Sequence, residues 1–599
     1  MKKSALILAM SLGLVACQSA ENNGLASNNS AEAQAAKLSS LGAEQQGFTA
    51  FSQSFIEQLW QQAPTWALYA GFHQYDGKLE VPSANSRALH SAFVKAKLLE
   101  LQRFNPALLS ANERTDYLLI ENLLKQWQWE INEFKSWQWD PSQYNVAGGF
   151  AQIINENFAP LEQRLVSVLE RLQSVPAYYA AARDNIKDPT LEHTQLAILQ
   201  NQGVFSVFSD DLLSKVDASA LTNAQKALFK VRLQAANLAV QQHIDWLKAL
   251  ETELTQQGAR DFRIGADFYE QKFAFDIQSG MTAAQLYQKA VAEKAQIQQQ
   301  MVKITTDLWP KYFKGAMPSD KQLAVRQLID HLSVKHVKAE DFVTEVERQI
   351  PELVAFVNSK ELISLDPSKP LLVRKTPEYM DGFAGASISA PGPYEQSGNT
   401  YYNVTPLTAM DAESAESYLR EYNHWILQIL NIHEAIPGHY AQLVYSNQSP
   451  SLVKSLFGNG AMVEGWAVYT ERMMLEEGYG NFEPEMWLMY YKWNLRVICN
   501  TILDYSIQVL GMERQAALNL LINEAYQQRA EAESKWRRAT LSQVQLTSYY
   551  AGYREIYDFR EEMKQQQGEA FKLKEWHENL LSYGSAPVKY IRELMINKQ

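Results

Sequence analysis

Past residue 45, apolar positions recur mainly at three- and four-residue steps, the spacing of amphipathic helices. Phe51, Phe55, Leu59 and Trp60 form one such stripe, which must end before Pro64 because proline cannot supply the next helical N–H. A second helix is expected from Ser110 through Glu133, with Tyr117, Leu118, Ile120, Leu123 and Leu124 on its apolar side. Trp127, Trp129, Trp137 and Trp139 read as core and packing residues. The pattern continues over Leu161–Leu172, Pro176–Ile186 and Ala224–Leu250, and Thr282 with Gln285 spells a capping box that starts a helix through Gln300. Between about Pro370 and Leu407 the pattern breaks. There Gly, Pro, Ser and Thr crowd together and predict two or three short strands, Thr400–Thr405 the clearest. Helix resumes near Ala412 and carries Trp425, Ile426, Ile429 and Leu430 into the core. The expected fold is mainly α: two packed helical lobes around a cleft, with a small β-sheet.

The first residues change the picture of where this chain works. Lys2 and Lys3 precede an apolar run from Ala5 to Val15, shorter than a permanent membrane span. The run ends in Leu14-Val15-Ala16-Cys17, which resembles the bacterial lipobox, so residues 1–16 read as a signal peptide and Cys17 as the lipidated residue. An ordinary secretory signal followed by a chance cysteine is the alternative. Gln18, rather than aspartate, points to an outer-membrane lipoprotein facing the periplasm. Residues 17–45 are poor in large apolar side chains and read as a flexible tether, leaving 46–599 as one helical domain. With only Cys17 and Cys499 present, lipidation of the first excludes an intramolecular disulfide. A net charge of −12 argues against nucleic acid as a partner.

The chemistry concentrates in HEAIPGHY, His433 to Tyr440, which holds two of the ten histidines. In His-Glu-x-x-His sites, four-residue spacing sets both imidazoles about 40° apart on one helical face. Six-residue spacing would leave them about 240° apart on an unbroken helix. Pro437 and Gly438 supply the means to break it, since proline clashes with the carbonyl of His433 and glycine accepts the backbone path that follows. The expectation is a helix carrying His433 and Glu434, a loop-out at Pro437-Gly438, and His439 turned back towards the same ion. Downstream, Ala461–Met473 reads as a helix with Glu464 near its start. Two histidines and one glutamate leave a fourth zinc position open, the arrangement of a hydrolytic zinc site. Glu471 lies about 20° from Glu464 around that helix and could hold a ligand histidine by its other nitrogen. A solvated helix face is the competing reading of both glutamates.

HEAIPGHYAQ followed by VEGWAVYTE resembles the bacterial family called domain of unknown function 885, which is grouped with glutamate-zincin metallopeptidases, helical relatives of thimet oligopeptidase and thermostable carboxypeptidases. PTWALYAGFHQYDGKL, RIGADFYEQKF and YYAGYREIYDFRE resemble family blocks in the same order, so the likeness runs from about residue 50 to the C-terminus. It implies an edge strand beside the zinc that takes substrate backbone by strand addition, with Tyr401 and Asn403 as substrate contacts. A connecting surface hairpin is the other reading of that strand. It also implies that the Tyr-rich tail helix faces the metal, with Tyr550 as hydrogen-bond donor to the oxyanion, while Arg560 could grip a substrate carboxylate. An aromatic packing face is the alternative there. One departure is Gln508, four residues after Asp504, where family members often carry histidine.

These readings converge on zinc-dependent hydrolysis of short peptides in the periplasm. Zn²⁺ would be held by His433, His439 and Glu464, with Glu434 as general base to a metal-activated water. A non-catalytic lipoprotein that binds peptides or envelope partners, or a metal-dependent amidase of cell-wall material, remains open.

Overall fold

The computed structural model describes residues 24–376, 386–395 and 398–596. Cys17 and the signal segment lie outside the described residues. As the periodicity predicts, the chain is mainly helical, with one small sheet. Ser110 caps the helix Ala111–Trp129 through the Glu113 N–H, and Glu113 caps back. The Thr282–Gln285 box does the same for Ala283–Tyr312, which continues well past Gln300. The Leu161–Leu172 helix has the expected bounds. The segment read as a tether departs from expectation. The first helix runs from Gly24 to Gln62, so most of that segment is helical rather than irregular. Its sequence is poor in large apolar residues but also lacks proline, so nothing in it stops a helix that begins upstream of the apolar stripe.

The apolar interior divides into a large cluster that reaches from Phe48 to Met595 and a smaller one over residues 146–244, joined by Leu68. Trp129 and Trp139 are buried in the large cluster, in keeping with a packing role. Among the described residues, no helix is long and apolar enough to cross a membrane.

The sheet has three strands, β1 (Leu371–Lys375), β2 (Ala386–Ser389) and β3 (Thr400–Val404), in the order β1-β3-β2. β3 pairs parallel with β1 and antiparallel with β2, Tyr402 lying opposite both Val373 and Ile388. The Tyr402 hydroxyl donates to Asn431 Oδ1 at 2.8 Å, and this buried bond ties the sheet to the helix His424–Glu434. β3 carries the strongest strand signal because it is the central strand and is buried along most of its length.

Candidate functional site

The helix His424–Glu434 starts on Asn423, whose side chain accepts from the N–H groups of Trp425 and Ile426. It stops at Glu434, and a new helix starts at His439. Between them lie a cis Ile436–Pro437 bond and Gly438, whose N–H returns to the Ile432 carbonyl at 3.0 Å. A Cβ at Gly438 would overlap the carbonyl oxygens of Ile432 and His433, so only glycine fits this return. Trp466 Nε1 donates to the Pro437 carbonyl at 2.9 Å and anchors the loop from the neighbouring helix. The expected break is therefore present, and it brings the two imidazole rings to 4.7 Å between centroids, nearly perpendicular.

Glu464 comes from the helix Gly460–Glu476, capped by the Asn459 side chain. Its Oε2 lies 3.7 Å from His433 Nε2 and 3.4 Å from His439 Nε2, yet forms no hydrogen bond among the described residues. One ligand atom from each of these three residues falls within 4.8 Å of the others. A tetrahedral ion with arms of about 2.0–2.2 Å sets neighbouring ligands roughly 3.3–3.6 Å apart. Both measured separations sit close to that edge, and the orphaned, buried Oε2 has the character of an atom awaiting a cation. The donor set of two nitrogens and one oxygen fits zinc.

Glu471, one helical repeat beyond Glu464, is fully buried and accepts from His433 Nδ1 at 2.7 Å. That bond leaves Nε2 of His433 facing Glu464, the tautomer a metal ligand needs. His439 Nδ1 has no such partner. Burial alone would lower the His433 pKa, but the carboxylates of Glu464 and Glu471 outweigh it and raise it to about 10. Burial pushes Glu464 up, and the two histidines more than reverse this, holding its carboxyl well below the usual range. Glu434 is raised: burial dominates, and the opposing charge of His439 and His433 only partly offsets it. A carboxylate with raised basicity is what proton abstraction from water requires.

These groups line a cavity of about 660 Å³, whose described walls all come from residues 386–549. His433, Glu434, His439 and Glu464 form one wall, and β2 contributes Ala386, Ser387 and Ile388. The lining also includes Trp493, Arg496, Asn500, Glu531, Lys535 and Arg538.

Four of the expected contacts are not brought to this cavity. Tyr550 is buried and donates to Glu293 Oε2 at 2.6 Å, on the far side of the helix Ser548–Gln567. Its neighbour Tyr549 lines the cavity instead, its ring stacked 6.5 Å from that of His433. One residue is about 100° of helical rotation, enough to exchange cavity for core. The register is set by a contact of glycines: a side chain at Gly552 would overlap the Ala461 carbonyl and one at Gly465 would overlap the Gly552 backbone. That close approach presses the tail helix onto the Glu464 helix and turns Tyr549 towards it. Arg560 is also buried, bound to Glu476 at 2.7 Å, and does not reach the cavity. Asn403 is fully buried, donating to Ser389 Oγ at 2.8 Å and accepting from Arg374 Nε at 2.6 Å. Tyr401 lies under the Arg374 guanidinium, 3.9 Å from the ring centre. Both sit on the central strand, so the strand facing the cavity is β2, whose short Ala-Ser-Ile-Ser sequence gives only a weak strand signal.

Gln508 bridges two buried backbone groups, accepting from Ile264 N at 3.2 Å and donating to Ala539 O at 3.0 Å. It is a packing residue here and does not line the cavity. Three cationic side chains of the lining, Arg496, Lys535 and Arg538, were missed. Glu531, Lys535 and Arg538 share a helical face, a spacing present in the sequence but indistinguishable there from a solvated surface.

A mainly helical protein with a His-His-Glu cluster and an adjacent glutamate in one cavity is thus defined. The chain belongs to the family described as bacterial protein of unknown function (DUF885), which matches residues 64–595. It resembles a solved structure from Shewanella oneidensis, described as "a putative lipoprotein of unknown function", with 69% identity, 92% of this chain and 99% of that chain covered, and a TM-score of 0.83. A second, from Colwellia psychrerythraea and described as a "putative lipoprotein", shares the fold at 18% identity, covering 93% and 99% of the two chains, with a TM-score of 0.76. No curated protein matches the sequence.

Proposed function

We propose that this protein is a zinc-dependent hydrolase that cleaves peptide bonds of short peptides. The convergence of His433 Nε2, His439 Nε2 and an orphaned Glu464 Oε2, with the Glu434 carboxylate on the same cavity, carries the reading. His433, His439 and Glu464 would hold the ion, and Glu471 orients His433. Bound there, zinc would supply Lewis-acid chemistry, acidifying water and polarising a carbonyl. Glu434 accepts the water proton and returns it to the leaving amine. The Tyr549 hydroxyl, itself held at 3.2 Å by Arg538, donates to the oxyanion that develops on the scissile carbonyl. The edge of β2, which pairs with no further strand among the described residues, offers backbone groups to an extended substrate. A cavity of about 660 Å³ accommodates a few residues, which supports short peptides over folded proteins.

The LVAC string and the Shewanella relative, described as a lipoprotein, support lipidation at Cys17, and Gln18 after it supports an outer-membrane location facing the periplasm. Metal analysis of the purified domain, beside digestion of a peptide library read by mass spectrometry, tests the central claim. Stoichiometric zinc with peptide cleavage abolished by chelation is expected; a zinc-free protein that fails to bind added zinc would refute it.

A further inference from the structure

The cavity that holds the metal cluster also carries three cationic side chains, in a chain whose net charge is −12. Arg496, Lys535 and Arg538 line it, with Glu531 beside them as the carboxylate outside the cluster. Arg496 is committed: it pairs with Glu531 at 2.7 Å, and its guanidinium lies over Trp493. Lys535 is not. Its side chain is 4% exposed, makes no hydrogen bond among the described residues, and approaches only Glu531, at 3.9 Å. Burial, with the neighbouring Arg496 and Arg538, pulls the Lys535 pKa down to about 7 against the opposing pull of Glu531 and Glu421. Arg538 gives Nη2 to Gln545 and to Tyr549, leaving Nη1 without a hydrogen-bond partner among the described residues.

Lys535 and Arg538 are three residues apart on the helix Arg529–Leu541 and present two donors to one side of the cavity. Two converging cationic donors in a partly dry site match a carboxylate, which accepts on both oxygens. The span to the metal cluster is short. Tyr549 touches both poles, its ring 6.5 Å from that of His433 and its hydroxyl 3.2 Å from Arg538 Nη2. Arg538 Nη2 therefore lies at most about 12 Å from the His433 ring, given ordinary covalent dimensions. Extended chain advances about 3.3 Å per residue, so that gap holds no more than three or four residues.

We infer that Lys535 and Arg538 form a docking site for a substrate carboxylate, which sets the bond to be cut within about three or four residues of that group. This deepens the peptidase reading and rests on it. The carboxylate could be the chain terminus or an acidic side chain, and a binding experiment separates the two.

A tripeptide library in free-acid and C-terminally amidated forms is incubated with the Glu434→Gln protein, and retained peptides are quantified by mass spectrometry. Free acids should be retained about tenfold or more over amides. That preference should vanish in Lys535→Met and Arg538→Gln added to the same background, and persist in Lys535→Arg. Amides bearing an internal Asp or Glu that are retained like the acids would keep the site and assign it to side-chain carboxylates. Equal retention of acids and neutral amides, or an unchanged preference in both neutral variants with native thermal melts, would overturn the inference. Because binding is read on Glu434→Gln, a failure of hydrolysis in the wild type would leave this result standing and count against the peptidase reading alone.

Discussion

The helix Gly460–Glu476 serves two buried polar clusters, and they differ in one respect that separates chemistry from architecture. Towards its start, Glu464 meets His433 and His439, and the carboxylate oxygen between them bonds to nothing. Towards its end, Tyr469 and Glu476 meet His577 and Arg560. There His577 Nδ1 donates to the Leu362 carbonyl at 2.8 Å and Nε2 accepts from the Tyr469 hydroxyl at 2.7 Å. Both nitrogens are satisfied, and no member lines the cavity. Their ionisation differs in the same sense. Carboxylates raise His433 to about 10, whereas burial lowers His577 to about 3, with Arg560 acting in the same direction. A buried histidine is common to both. Among the described residues, the first holds an unpaired ligand atom facing open volume, whereas the second is completely paired.

The comparison breaks most sharply at Glu434 and His433. Glu434→Gln should lower hydrolysis by more than the roughly 10²–10⁴ of general-base assistance while leaving zinc content and folding near normal. His433→Ala should lose zinc and activity together. Metal analysis beside kcat decides; zinc loss in Glu434→Gln would make that residue a ligand. Next in size is the tail. Tyr549→Phe should reduce kcat by about 10²-fold, the typical loss for one oxyanion donor, whereas Tyr550→Phe should leave kcat alone and lower the melting temperature. The reverse result would restore Tyr550 to the site.

A smaller effect is expected at Glu471. Its replacement by Gln should weaken zinc affinity by about 10–100-fold, read by competition with a chelator, because His433 loses its carboxylate support. At the sealed end, Arg560→Met should cost about 1 kcal/mol of stability, because half-buried Glu476 keeps Arg472 and the Tyr557 hydroxyl, with kcat per folded molecule unchanged. The smallest effect concerns pH. The folded pKa of His577 lies below the ordinary 6.5, so as pH falls the unfolded chain binds this proton first. Stability from this group is present above about 6.5 and lost progressively towards 3. Melting temperature against pH should therefore fall less steeply in His577→Gln than in the wild type.

The metal motif was legible because its evidence is local. His433, Glu434, Pro437, Gly438 and His439 lie within seven residues, and steric rules for proline and glycine require the break seen there. Glu464 and Glu471 could be read from helical repeat alone. The helices themselves follow from apolar spacing and capping boxes, which are short-range signals, and so the mainly helical class was fixed by sequence.

Positions set by packing between distant elements were not. Which tail tyrosine faces the cavity depends on how Gly465 and Gly552 let two helices approach, and no property of Tyr549 or Tyr550 records it. Arg560 is equally able to bind a ligand or a buried glutamate, and its tertiary neighbour Glu476 decided the matter. β3 drew attention by its aromatic and β-branched residues, but those mark a buried central strand, while the edge that meets the cavity is the plainer β2. The same holds for Lys535 and Arg538, whose spacing suits a solvent-facing helix until the fold turns it inward. Sequence determined which residues offer candidate ligand atoms and which local shapes they adopt, because those depend on neighbours along the chain. Tertiary structure alone decided which polar groups are satisfied and which are left facing the cavity, because pairing depends on neighbours in space.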